Sequence, residues 1–216
     1  MVNTSNAGEA NLFDWNLFLR QWSRDLLERL EDSEFVSLPP EVIEARWLGY
    51  PGATEAEIAE AQVRLGTTFP PSYRNFLAVS NGWLKLDDLT DRLWSAQEIE
   101  WLAAKNQELI DEWMTGVATG GEPVYVPDEE YFVYGDEQDT ASLRDEYLQT
   151  ALEIGGDSEQ GLILLNPQVR FEDGEWEAWL FANWLPGAER YRSFRELMQD
   201  KHRRLLDSLP KLRELT

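Results

Sequence analysis

The side chains that could do chemistry in this chain are mostly oxygen acids: 41 Asp and Glu stand against one histidine, His202, and no cysteine. Without thiolates, and with a single imidazole, disulfides, thiolate zinc sites and transition-metal centres have few ligands to draw on. Gly156-Asp157-Ser158 matches in outline a hydrolase nucleophile motif, in which a downstream acid and histidine would activate the serine. The only base able to do so, His202, lies in Asp200-Lys201-His202 without the spacing such enzymes use. Gly155-Gly156-Asp157-Ser158 therefore reads as a turn between strands, and His202 as a solvated residue on the outer side of its helix.

Two acidic groups, Asp87 with Asp88 and Asp91, and Asp136 with Glu137 and Asp139, offer the oxygen ligands that calcium and magnesium prefer. Neither has the spacing of an EF-hand loop, so both read as solvated loops. Paired carboxylates could divide acid and base work in glycoside cleavage, but among 41 acids chance pairs are unavoidable. The expectation is a protein without catalytic, metal or cofactor residues. A carboxylate-dependent hydrolase is the least favoured alternative, and it would need a concave pocket gathering two acids with perturbed pKa values.

Acids can also serve recognition. Asp128, Glu129 and Glu130 run into Tyr131, Phe132 and Tyr134, and Asp136, Glu137 and Asp139 follow. Negative charge steers a basic partner inward and tyrosine anchors the contact. Asp128, Glu129, Glu130, Tyr131, Tyr134, Asp136, Glu137 and Asp139 are thus the candidate partner-binding residues. The competing reading is a charged loop laid over a strand edge to block aggregation.

A net charge of −22 disfavours nucleic acid and anionic membrane, whose phosphates need cationic side chains. It suits a basic protein partner, and it also simply maintains solubility. Residues 1–11 are polar and small, unlike a signal peptide, and no apolar run reaches membrane-spanning length. The expected location is the cytoplasm.

The elements that must position these residues are legible from spacing. At 216 residues, 43% hydrophobic and with ten Trp, the chain can bury one substantial core. Leu12, Trp15, Leu19, Trp22, Leu26 and Leu30 recur on one helical face, predicting an amphipathic helix over Leu12 to Glu31 packed on the main domain. Thr54 with Glu57 is a capping box opening a helix that carries Ile58, Ala61 and Leu65 and ends at Gly66. Pro70-Pro71 opens a second, with Tyr73, Phe76, Leu77 and Ser80 on one side, closing at Asn81-Gly82. Ser95 with Glu98 predicts one helix carrying Ile99, Leu102, Leu109, Ile110 and Trp113, broken at Thr115 to Gly121.

The period then changes. Val124 to Val126, Tyr131 to Tyr134, Tyr147 to Ile154, Leu162 to Leu165 and Trp176 to Phe181 read as strands. Ser193 with Glu196 caps a last helix bearing Phe194, Leu197, Met198, Leu205 and Leu209. Charge divides the same way: Glu122 to Glu159 holds twelve acids and one base, Arg144, whereas Arg190 to Thr216 is locally basic. The fold class is α+β, a predominantly antiparallel sheet packed with flanking helices.

Three blocks in this order resemble the SUKH superfamily. The first runs from Ala53-Thr54-Glu55-Ala56-Glu57-Ile58 through Phe69-Pro70-Pro71-Ser72-Tyr73 to Ser80-Asn81-Gly82. The second is Leu152-Glu153-Ile154-Gly155-Gly156-Asp157 followed by Gly161 to Asn166, and the third is Trp176 to Phe181, Trp184 and Ser193-Phe194. The resemblance implies a SUKH-like domain over 38–209, with 1–37 as a helical extension and 210–216 as a tail. It also implies binding rather than catalysis, since the superfamily includes fungal cell-wall-synthesis regulators and bacterial immunity proteins of polymorphic toxin systems. A bacterial immunity protein that neutralises a basic toxin domain by occlusion is the leading expectation; a regulatory or scaffolding protein is the alternative. The helix at Leu12 to Glu31 and the acidic stretch Asp128 to Asp145 have no counterpart in that core.

Overall fold

Capping chemistry marks both ends of the helix over Glu55–Leu65. In a computed structural model, residues 13–31, 38–84, 92–115, 125–157 and 161–208 are described. The helices are α1 (Trp15–Glu31), α2 (Pro40–Ala45), α3 (Glu55–Leu65) and α4 (Pro71–Val79). After strand β1 (Glu100–Trp101) come α5 (Leu102–Lys105), α6 (Gln107–Met114) and α7 (Asp128–Tyr131), then single 3-10 segments at Gly135–Glu137 and Asp145–Thr150. Strands β2 (Leu152–Asp157), β3 (Gly161–Arg170), β4 (Trp176–Ala182) and β5 (Ala188–Tyr191) precede α8 (Phe194–Ser208). The Thr54–Glu57 box is closed in both directions, and Gly66 ends α3 at φ 66°, a left-handed conformation that favours glycine.

The five strands form one antiparallel sheet in the order β1-β2-β3-β4-β5. Alternate residues of each strand face opposite sides. One side meets α1, α3, α4 and α8 through Trp15, Leu19, Ile58, Phe76 and Phe194, which share a cluster with Ile154, Leu165 and Leu180 of the sheet. The other side packs Leu164, Trp179 and Phe181 against Leu102 of α5, Ile110 of α6 and Leu148. Every residue of β4 is buried, so its sequence is a continuous apolar run broken by one acid, Glu177. This is the α+β architecture expected.

Helix α1 lies within the stretch set apart as an extension, yet its stripe is core. Trp15 stacks on Phe194 at 5.6 Å and meets Phe76 edge-on, and Trp22 stands 6.0 Å from Trp83. Leu12 and the side chain of Leu30 fall outside the described residues. Each large side chain so buried contributes about 1.5–3 kcal/mol.

Several expectations need correction. The single helix predicted from Ser95 is four pieces: Ser95 and Glu98 close one turn, β1 and α5 follow, and Asn106 caps α6. The reason is that Ile99 and Leu102 belong to opposite sides of the sheet, which no single helical face could serve. Trp94 N–H donates to the Ile154 carbonyl and Trp101 pairs with Leu152, so sheet pairing overrides the local helical signal. Tyr131 to Tyr134 is the end of α7 and the chain leaving it, and Tyr147 to Thr150 is 3-10; only Leu152 to Ile154 of that predicted strand lies in β2. Residues 125 and 126 form no strand, and Val124 is outside the described residues. Strands β1 and β5 are too short and too polar to have stood out.

Candidate functional site

The acidic stretch crosses the second side of the sheet, and a buried carboxylate fixes it there. Glu177 is 0% exposed. Its carboxylate accepts hydrogen bonds from Tyr131 Oη at 2.6 Å, Tyr134 Oη at 2.8 Å, Asn166 Nδ2 at 2.9 Å and Trp179 Nε1 at 2.7 Å. Donors on this scale replace the water a buried carboxylate loses. Burial first, and then the Glu177 charge, pushes the Tyr131 and Tyr134 hydroxyls above the ordinary phenol range, so both remain donors.

Arg190 of β5 sits across from Trp179 in register and is also buried. Its guanidinium donates to the carbonyl of Tyr131 and, at 3.3 Å, to that of Asp139, and lies 4.5 Å over the Tyr131 ring. Tyr131 is thus held between a buried acid and a buried base. Gln138 completes the attachment: its Oε1 accepts Arg190 N–H at 2.7 Å, its Nε2 donates to the Arg190 carbonyl at 3.3 Å, and Thr140 O accepts Ala188 N–H. A side-chain amide and one carbonyl cover the open edge of β5, which gives the edge-protection reading a structural basis.

The predicted partner-binding residues therefore divide. Asp128, Glu129, Glu130, Asp136, Glu137 and Asp139 are exposed. Tyr131, expected as a surface anchor, is instead fully buried, and Tyr134 is half-buried; both hold the segment down because their hydroxyls satisfy Glu177. Asp128 pairs with Arg144, whose guanidinium also stacks 4.6 Å over Tyr131. Asp139 accepts the Ala141 N–H at 2.9 Å. Exposed rings flank the acids: Phe132 at 43% and Tyr125 at 81%. Sequence reasoning missed Glu177, Asn166 and Arg190; the available signal was a lone acid inside the apolar Trp176 to Phe181 run.

The other candidates come apart. Ser158 and the Asp157 side chain lie outside the described residues, as do Asp87, Asp88 and Asp91. His202 is not an outward, solvated residue: Nε2 lies 2.7 Å from Asp25 Oδ2 and its ring stacks on Trp22 at 5.3 Å, because that face of α8 meets α1. Among the described residues no group of acids, His or Cys could hold a metal ion, and no helix is long and apolar enough to cross a membrane.

A cleft of about 520 Å³ is lined by two acids, Glu57 and Glu98. Backbone and hydroxyl donors of Thr54 hold Glu57 below the usual carboxylate range. Burial works to raise Glu98, but the Ser95 and Arg92 donors outweigh it and its carboxyl is lowered too. Neither is the raised-pKa proton donor that the hydrolase alternative requires.

No curated protein matches the chain. Residues 52–200 match the SMI1 / KNR4 family (SUKH-1). The match starts at Gly52, spans the α3–α4 pair and all five strands, and ends within α8, taking in more than half of the chain and every block on which the resemblance rested. On that extent, and on a fold that supplies the helical pair and antiparallel sheet those blocks predict, the chain belongs to the SMI1 / KNR4 family (SUKH-1).

Proposed function

We propose that the chain is a bacterial, cytoplasmic immunity protein that acts without catalysis, occluding a basic toxin domain with its Asp128 to Asp139 surface. The observation that carries this reading is the division of labour within the segment. Tyr131 and Tyr134 turn inward onto Glu177, and Tyr131 also onto Arg190, while Asp128, Glu129, Glu130, Asp136, Glu137 and Asp139 face solvent. A surface held in place before binding loses less entropy on association, and its charge raises the encounter rate with a cationic partner. Phe132 and Tyr125 add apolar contact at the margin. In this reading residues 38–209 carry the binding domain, and the 1–37 extension buttresses it through α1 from the opposite side of the sheet.

The test is capture of partners from the native host by the tagged protein, washed at low and then high salt, beside a variant with Glu129→Gln, Glu130→Gln, Asp136→Asn and Glu137→Gln. A single basic protein held at low salt, released by high salt and lost in the variant is the expected result. Capture that ignores the four substitutions would overturn the assignment. Several partners held regardless of salt would favour a regulatory or scaffolding role instead.

A further inference from the structure

A second cleft, of about 510 Å³, lies between the end of β3 and the start of α8. It is a suitable size for a small ligand. Arg170, Arg192 and Arg195 line it, beside the acids Glu172, Asp173 and Glu196. Arg64, Arg74, Arg92, Arg144, Arg203 and Arg204 each reach a carboxylate, whereas none of the three cleft arginines forms an ion pair among the described residues.

Three acids, Glu172, Asp173 and Glu196, line the same cleft, and two of them each place one carboxylate oxygen on a backbone N–H. Glu196 Oε2 accepts the Arg192 backbone N–H at 3.0 Å, and Asp173 Oδ1 accepts that of Glu175 at 3.2 Å. Glu175, whose carboxyl feels the Arg195 charge, uses both oxygens on Ser72. Glu172 is exposed on the rim.

The guanidinium groups are oriented by rings rather than by acids. Arg170 lies 4.9 Å over Trp176, Arg192 lies 4.5 Å over Phe171 and 5.8 Å over Tyr134, and Arg195 lies 6.0 Å from Phe13. Stacking occupies the flat face of a guanidinium and leaves its N–H edge open, the edge that grips carboxylate or phosphate with two parallel hydrogen bonds. Arg170 spends Nε on the Pro167 carbonyl; Arg192 and Arg195 make no side-chain hydrogen bond among the described residues.

We propose that this cleft binds an oxyanion, a phosphate or carboxylate group held by Arg192 and Arg195 with Arg170 at the mouth. The site is distinct from the acidic surface and does not depend on the role assigned there. The probe is inorganic phosphate, titrated against the full chain at constant ionic strength set with sodium chloride, and followed by amide shifts of residues 192–196. Saturable shifts are expected, with binding weakened about tenfold by either Arg192→Gln or Arg195→Gln. They should be unchanged by Arg203→Gln, and circular dichroism checks that each variant is folded. Absence of saturable shifts beyond those caused by chloride, or equal binding by a folded double variant, would overturn the proposal. Citrate binding more tightly than a Glu-rich peptide identifies a free small anion as the source; the reverse identifies an acidic segment of a partner.

Discussion

Glu175 caps helix α4 from 103 residues away: its carboxylate accepts the Ser72 N–H at 2.8 Å and the Ser72 hydroxyl at 2.6 Å. The helix has no local cap, since Pro70 occupies the cap position and offers no side-chain acceptor. The β3–β4 turn supplies what the local sequence lacks, tying the helical layer to the sheet. Replacing Glu175 by Ala is expected to cost about 1–2 kcal/mol in urea unfolding, the scale of a lost N-cap. An unchanged unfolding midpoint would show that the bond contributes nothing.

The buried carboxylate of Glu177 organises the acidic segment, so Glu177→Gln should act on two levels. Replacing a charged acceptor by an amide removes strong bonds from Tyr131, Tyr134, Asn166 and Trp179, costing about 1.5–3 kcal/mol. Hydrogen exchange should then speed up selectively at residues 131–140, where the segment loses its anchor. Uniform acceleration across the fold would mean that Glu177 serves the core alone.

Tyr73 is fully buried, and its hydroxyl has no partner among the described residues. Burial alone pushes the phenol well above its ordinary range, with no hydrogen bond to offset it. Its ring sits among Phe69, Phe76 and Phe194, an environment that would accept phenylalanine without loss. Tyr73→Phe is therefore expected to stabilise the protein by about 1 kcal/mol, measured by thermal and urea unfolding. Destabilisation of similar size would reveal a partner for the hydroxyl.

What the sequence made legible follows from how each element is stabilised. Helices α3, α4 and α8 are announced by Thr54, Pro71 and Ser193, which act within a few residues of themselves. The first six residues of β3 and all of β4 are buried on both sides, so apolar runs mark them. The stretch from Ser95 to Trp113 misled because its apolar residues divide between two sides of the sheet, a property of the assembled fold. The same holds at the acidic segment: charge was visible, but which tyrosines turn inward depends on Glu177, 46 residues beyond Tyr131.

Helix α1 precedes the family-matched range, and Trp22 tests whether the fold depends on it. Trp22 is fully buried, stacks on His202, which pairs with Asp25, and meets Trp83. Its indole N–H has no hydrogen-bond partner among the described residues, so the side chain acts through packing. Trp22→Ala should cost about 3–5 kcal/mol, the usual loss for emptying a large aromatic site. A loss under about 1 kcal/mol would make α1 a dispensable addition.

Asp145 gives the clearest pH dependence. Burial, with Glu146 adding like charge, pushes its carboxyl up from 3.8 to about 6. A carboxyl raised on folding binds its proton more tightly in the folded chain than in the unfolded one. Its favourable contribution is therefore complete below the unfolded value and lost as pH rises through about 6, above which the charged form is a burden. Asp145→Asn removes that burden. The variant should melt higher than the parent at about pH 7.5, with the difference shrinking toward about pH 4, where the parent carboxyl is largely protonated. Melting curves of both proteins across this range decide it: a difference that stays constant with pH would mean that the substitution acts through packing or the 3-10 turn rather than through ionisation of Asp145.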